Sequence, residues 1–223
     1  MNAPIEALHQ YMESHKEDMI SLWKDLVNHQ AGSHEIEKVN GIMAFLKSRF
    51  DEEQISCRLV ENPGGPYVLV AELHSELPGK PLLLSGHCDT VFPSGSYPEE
   101  AFTIAEDGFA HGPGVVDMKC GVAESFYVLK ALKKFGFHDR PVKVVLVGDE
   151  EISHVPGHAD QILMDEAKGA LCCFNMESGR LDHCLTVGRK GGMDCHIIVH
   201  GVAAHAGNDY LKGRNAIIEM CQK

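Results

Sequence analysis

The 223 residues are 44% hydrophobic, enough to close a packed core and to exclude a disordered chain. A net charge of -12 with no Lys/Arg run excludes nucleic acid and anionic membrane as expected partners, because both reward a basic face. No apolar run approaches the ~20 residues that cross a bilayer, and no basic-then-apolar leader opens the chain, so a soluble cytoplasmic protein with eight reduced cysteines is expected.

Residues 1–30 place Ile5, Leu8, Met12, Met19, Leu22, Trp23 and Leu26 at helical spacing, which predicts one amphipathic helix, and a second helix is predicted over 34–50. Extended segments follow at 55–60 and 67–73. The run Pro81 to Gly86 is apolar throughout, the pattern of a strand covered on both faces. After a Pro/Gly-rich loop at 92–98, a helix is predicted over 118–135, a β-branched strand over 142–147 and a further helix over 158–167. Ala170 to Phe174 reads as another short buried strand, with Cys172 and Cys173 as small buried side chains.

Helix alternating with strand predicts an α/β fold, a mostly parallel sheet flanked by helices, over residues 1–188. The character changes after Gly188. Residues 193–200 alternate like an antiparallel strand and 213–223 like the start of a helix, so 189–223 is expected to begin a second, α+β domain.

In an open α/β sheet, ligands gather beyond the carboxyl ends of the strands. There the sequence places His87 and Asp89 after 81–86, Asp149, Glu150 and Glu151 after 142–147, and Glu177 after 170–174. The loop 110–117 adds Asp117. One imidazole among several carboxylates suits a hard or borderline divalent cation. In an extended segment the i, i+2 spacing of His87 and Asp89 puts both on one side, so Asp89 can fix the imidazole tautomer. Glu150 and Glu151 diverge, so one can bind metal while the other serves as a general base. No nucleophile elbow, phosphate loop or dinucleotide turn competes with this plan.

Taken in order, Ser85-Gly86-His87-Cys88-Asp89-Thr90-Val91, Gly112 to Lys119, Asp149-Glu150-Glu151 and Glu177 resemble the M20 metallopeptidase family, in particular its glutamate carboxypeptidase branch. The resemblance implies a zinc-aminopeptidase-like catalytic domain followed by a lid and dimerisation domain. It implies two Zn2+ ions in a complete site, with Co2+ or Mn2+ as alternatives. It makes His87, Asp117, Glu151 and Glu177 metal ligands, with Asp117 bridging and followed by a cis peptide. It makes Asp89 the orienting partner of His87, Glu150 the general base, and His205, in Val202 to Gly207, a substrate-binding residue. It also implies a small peptide or N-acyl-amino-acid substrate and a homodimer built through the lid. Family members continue beyond the position of Lys223, and the second metal's histidine is expected there.

Overall fold

The computed structural model describes residues 5–179, 184, 190–191 and 195–222, which divide into two compact units at residues 179 and 180. In the first unit the predicted N-terminal helix is two helices, α1 (Ile5–Ser14) and α2 (Lys16–Asn28). They part at His15, whose Nδ1 lies 2.8 Å from the Tyr11 carbonyl, so the side chain competes for a helical acceptor. Then come α3 (Ile36–Glu52), β1 (Ser56–Val60), β2 (Val68–Leu73) and β3 (Leu82–His87). A two-stranded ribbon, β4 (Thr103–Ile104) and β5 (Ala110–His111), precedes α4 (Cys120–Lys134), β6 (Val142–Val147), α5 (Ala159–Ala167) and β7 (Cys172–Asn175).

The main sheet runs β1-β2-β6-β3-β7. The α/β class is the one the sequence predicts. Its parallel part is β6-β3-β7, and β2 and β1 extend it antiparallel. Strand alternation sorts side chains onto two faces. Leu69, Ala71, Leu84, Val144 and Leu146 pack with Leu26, Leu46, Phe50, Phe126 and Leu129 beneath the large helices. Val68, Val70, Leu83, Val145 and Val147 pack with Ala159, Ile162 and Leu163 of α5 on the other face. Each central strand is therefore apolar on both sides, as its continuous run requires.

The path from β3 through α4 reaches β6 on one side, and the path from β6 through α5 returns to β7 on the other. The carboxyl end of β3 is thus the point where strand order reverses, which opens a crevice there.

The expected burial of the last strand of the sheet is overturned. Cys172, Cys173 and Phe174 are exposed. Strand β7 pairs only with β3 and forms the sheet edge, so its apolar run finds no cover in this unit. Residue Gly41 lies within α3 with nothing within 4 Å of an added Cβ. Gly41→Ala is expected to stabilise the fold by about 0.5–1 kcal/mol in urea unfolding, because it removes backbone freedom from the unfolded chain alone.

In the second unit α6 (Ala216–Cys221) is capped by Asn215, whose Oδ1 accepts the Ile217 and Ile218 amides. An antiparallel bridge joins Val202 and Arg214. Residues 195–200 form no strand, because alternation makes a strand only where a partner supplies a ladder; 193–194 and the expected boundary at 188 lie outside the described residues. No helix among the described residues is long and apolar enough to cross a membrane.

Candidate metal centre

His87 is the last residue of β3 and is buried. Its Nδ1 faces Asp89, 3.2 Å from Oδ1, and its Nε2 faces outward, 3.0 Å from Asp117 Oδ1 and 3.2 Å from Glu177 Oε1. One ligand atom from each of His87, Asp117 and Glu177 fits within 4.8 Å of the others, the only such group found among the described residues.

The two partners come from different segments of the chain, a turn before α4 and the end of β7. Asp117 lies in the wide turn Val115–Lys119, entered through Gly114 at φ 68° and anchored by Trp23 Nε1–H donating to the Val115 carbonyl at 2.9 Å. The Asp117-Met118 peptide is cis, and the buried Met118 sulfur accepts the His87 amide at 3.1 Å. Glu177 follows β7, whose end is tied to β3 by the Met176 amide donating to the Ser85 carbonyl at 2.9 Å.

Asp89, fully buried, does more than orient His87. Its Oδ1 accepts the Glu150 amide at 3.3 Å and its Oδ2 the Glu151 amide at 3.2 Å, which fixes the 3-10 turn Glu150–Ile152 against the crevice. Burial raises the Asp89 carboxyl, but hydrogen bonds from His87 and Ser33 overcome it and leave it below the usual carboxylate value. Burial likewise opposes charge on His87. Hydrogen bonds to Asp89 and Glu177, with the field of both carboxylates, hold the imidazole up to about 11. Glu151 is pushed up by burial first and by neighbouring Asp117 second. The Glu150 side chain is exposed.

A family description, Peptidase family M20/M25/M40, matches residues 83–210, more than half of the chain. The chain belongs to this family. It is 28% identical over 205 residues to carboxypeptidase G2 from Pseudomonas sp. (strain RS-16), covering 90% of this chain and 48% of that protein. It is 31% identical over 133 residues to succinyl-diaminopimelate desuccinylase from Acidiphilium cryptum (strain JF-5), covering 57% of this chain and 35% of that one. The fold resembles that of the di-peptidase Dug1p from Saccharomyces cerevisiae, with a TM-score of 0.66 at 20% identity over 78% of this chain and 41% of that one. The chain thus spans about half or less of the length of these relatives.

In this M20 chain, several polar residues beyond the expected ligands support the crevice. Asp149, buried, receives His154 Nδ1 at 2.7 Å on one oxygen and Asn62 Nδ2 at 3.1 Å on the other. The Asn62 side-chain oxygen Oδ1 accepts the His158 amide at 2.7 Å, so the loop after Glu151 folds back onto the sheet. His154, which follows Glu151 closely, is turned to Asp149. Lys119 is buried and donates to the His29 carbonyl at 2.9 Å; burial pulls its ammonium down to about 8 against the field of Cys88 and Asp89. Asn62 carries no local motif, whereas Asp149 and Lys119 stand inside motifs that carry the family resemblance. His205 belongs to the second unit, where its Nδ1 accepts the Gly207 and Asn208 amides, each at 3.1 Å.

An imidazole and two carboxylates with a buried carboxylate behind the ring are a donor set that fits a divalent cation. Without metal, a proton on His87 neutralises the same carboxylates. With a folded value near 11 against 6.5 unfolded, that interaction is fully present below pH 6.5 and fades as pH rises toward 11. A cation must displace this proton, so affinity for Zn2+ is expected to rise about tenfold per pH unit between about pH 6 and 8. Titration against a chromophoric chelator at several pH values reads the slope directly. An affinity independent of pH would contradict cation binding at His87.

Proposed function

We propose that this chain carries the metal-binding part of a hydrolase that cleaves a C-terminal peptide bond or an N-acyl-amino-acid bond. The observation that carries the reading is the convergence of His87, Asp117 and Glu177 at one crevice in an M20 family chain. The names of its relatives, a carboxypeptidase and a desuccinylase, support an amide bond as the target.

His87, Asp117 and Glu177 would hold one divalent ion, and Asp117 with Glu151 would offer ligands to a second. Zn2+ suits these donors, as do Co2+ and Mn2+. When bound, such ions supply Lewis acidity toward a carbonyl oxygen and toward water. Asp89 holds the imidazole tautomer that leaves Nε2 to the metal. Glu150 is assigned as general base: its carboxylate takes a proton from the attacking water and returns it to the leaving nitrogen. His205 is assigned to substrate binding, residues 1–188 to the catalytic part, and 189–223 to the start of a lid through which two copies would pair.

Glu150→Gln is expected to keep metal uptake and to lose turnover of N-acyl-glutamates by about 100- to 10,000-fold, the usual worth of a general base. Unchanged turnover would remove Glu150 from the mechanism. A second reading, a non-catalytic chain that binds metal incompletely, is favoured by the single three-ligand group among the described residues. Metal analysis with the same assay separates the two: one equivalent of metal and no hydrolysis in the parent chain supports the second.

A further inference from the structure

The Glu150 side chain is exposed, and among the described residues only its backbone is hydrogen-bonded. The 3-10 turn Glu150–Ile152 therefore sets where the carboxylate stands. That turn is closed by one bond, the Ser153 amide donating to the Glu150 carbonyl at 2.8 Å. A turn so short keeps its place only if the chain is tied down on both sides. Asp89 holds the entry by accepting the Glu150 and Glu151 amides. The exit has an anchor of its own.

Ser153 and His154 leave the turn at φ 55° and 62°, the left-handed region that residues with a Cβ enter only where the surroundings enforce it. His154 supplies the enforcement. Its amide donates to the Asp149 carbonyl at 2.9 Å and its Nδ1–H to Asp149 Oδ1 at 2.7 Å, so it grips both the backbone and the carboxylate of one residue. Asp149 is 1% exposed, and its Oδ2 accepts Asn62 Nδ2 at 3.1 Å. Asn62 is fixed in turn, because its Oδ1 accepts the His158 amide at 2.7 Å. Two glycines close over the pair: a Cβ on Gly65 would stand 2.4 Å from Asn62 Nδ2, and one on Gly157 2.7 Å from Asp149 Oδ2. With both oxygens engaged and no room beside them, the Asp149 carboxylate cannot turn aside.

We propose that His154 is a positioning residue for Glu150: tied to Asp149, which Asn62 seats, it holds the exit of the glutamate turn while Asp89 holds the entry. The inference rests on the proposed hydrolase reading, in which Glu150 is the general base. A turn held at its entry alone still carries the carboxylate, but not at one distance from the attacking water. A misplacement of about 1 Å is enough to cost on the order of 100-fold in rate. The ligand group His87, Asp117 and Glu177 lies on other segments and is expected to keep its cation.

Three substitutions test the anchor. His154→Gly keeps the left-handed φ without strain and loses only the ring. His154→Asn keeps a side-chain N–H for Asp149 and also tolerates that φ. His154→Asp has the shape of asparagine without its donor. In the metal-free, full 223-residue chain, amide exchange read by NMR is expected to quicken at Glu150 and Glu151 by about 10- to 100-fold in the Gly and Asp variants, the worth of one hydrogen bond to a charged group. The Asn variant should exchange like the parent, and Val145 and Leu146 of β6 should be unchanged in all three. With Zn2+ and N-acetyl-glutamate, kcat is expected to fall by about 10- to 100-fold at unchanged KM in the Gly and Asp variants and to recover in the Asn variant. If one of the two donor-less variants fails to fold, the other reads the same anchor.

Parent-like exchange at Glu150 and Glu151 without the donor, or an equal rise in β6, would overturn the inference. So would loosened amides with a parent-like kcat, or a loss that asparagine does not restore. A parent chain that hydrolyses nothing while its amides respond as expected loses the hydrolase reading and keeps His154 as the anchor of the turn.

Discussion

Asp89→Asn is expected to weaken Zn2+ binding by about 10- to 100-fold, the range found when a partner behind a metal-binding histidine is lost. The reason lies in the donors that surround it. Asp89 Oδ1 serves both His87 Nδ1 and the Glu150 amide, and Oδ2 serves the Glu151 amide. Asparagine must place its NH2 against one of these donors, so the ring or the glutamate turn moves. Asp89→Ala goes further, leaving the Glu150 and Glu151 amides without their acceptor, while the imidazolium keeps Asp117 and Glu177 at Nε2. It is expected to cost about 1–3 kcal/mol per stranded amide in urea unfolding of the metal-free protein. Parent-like Zn2+ affinity in the Asn variant would show that Asp89 does not govern His87, and parent-like stability in the Ala variant would show that the two amides find another acceptor.

How far this arrangement could be read from the chain differs from one residue to the next. His87, Asp117, Glu151 and Glu177 each stand just past a strand or at a loop–helix junction, and strands were legible as short apolar runs. Their common edge followed from the rule that ligands collect beyond carboxyl ends. Which strands are neighbours was not legible, because pairing is a contact between distant segments. The antiparallel addition of β2 and β1, and the edge position of β7, come from such pairing. Cys172 and Cys173 show the consequence: the run is apolar enough for a core strand, yet exposure is set by having one neighbour instead of two.

The supporting residues were hidden for a related reason. Asn62 and Asp149 are 87 positions apart, and nothing around Asn62 distinguishes it from an ordinary loop asparagine before the chain closes on itself. Ser33, which bonds to both Thr90 and Asp89, likewise looks like a turn serine. Local patterns reveal groups with unusual chemistry at usual positions. They do not reveal common polar residues whose role is to satisfy a buried neighbour.

Glycine at the start of α4 makes the sharpest test of how the crevice is held. A Cβ on Gly121 would stand 1.9 Å from the Met176 carbonyl oxygen and 3.0 Å from Met118 Cε. Those two methionines sit immediately beside Glu177 and Asp117, so the helix and both carboxylate-bearing segments meet at a point with no room for a methyl group. Because the first obstacle is backbone, Gly121→Ala must push the Glu177 segment and α4 apart. It is expected to cost about 1–3 kcal/mol in stability and to lower Zn2+ affinity by about 10- to 100-fold. Gly86→Ala offers the contrast. Its Cβ would meet Met118 Cε at 2.4 Å and Sδ at 2.9 Å, the far end of a flexible side chain that can turn aside. The smaller loss of affinity is therefore expected at Gly86, although it adjoins His87 in sequence and Gly121 does not. The opposite order would mean that the carboxylate of Glu177 reaches the cation without depending on how β7 is seated against α4.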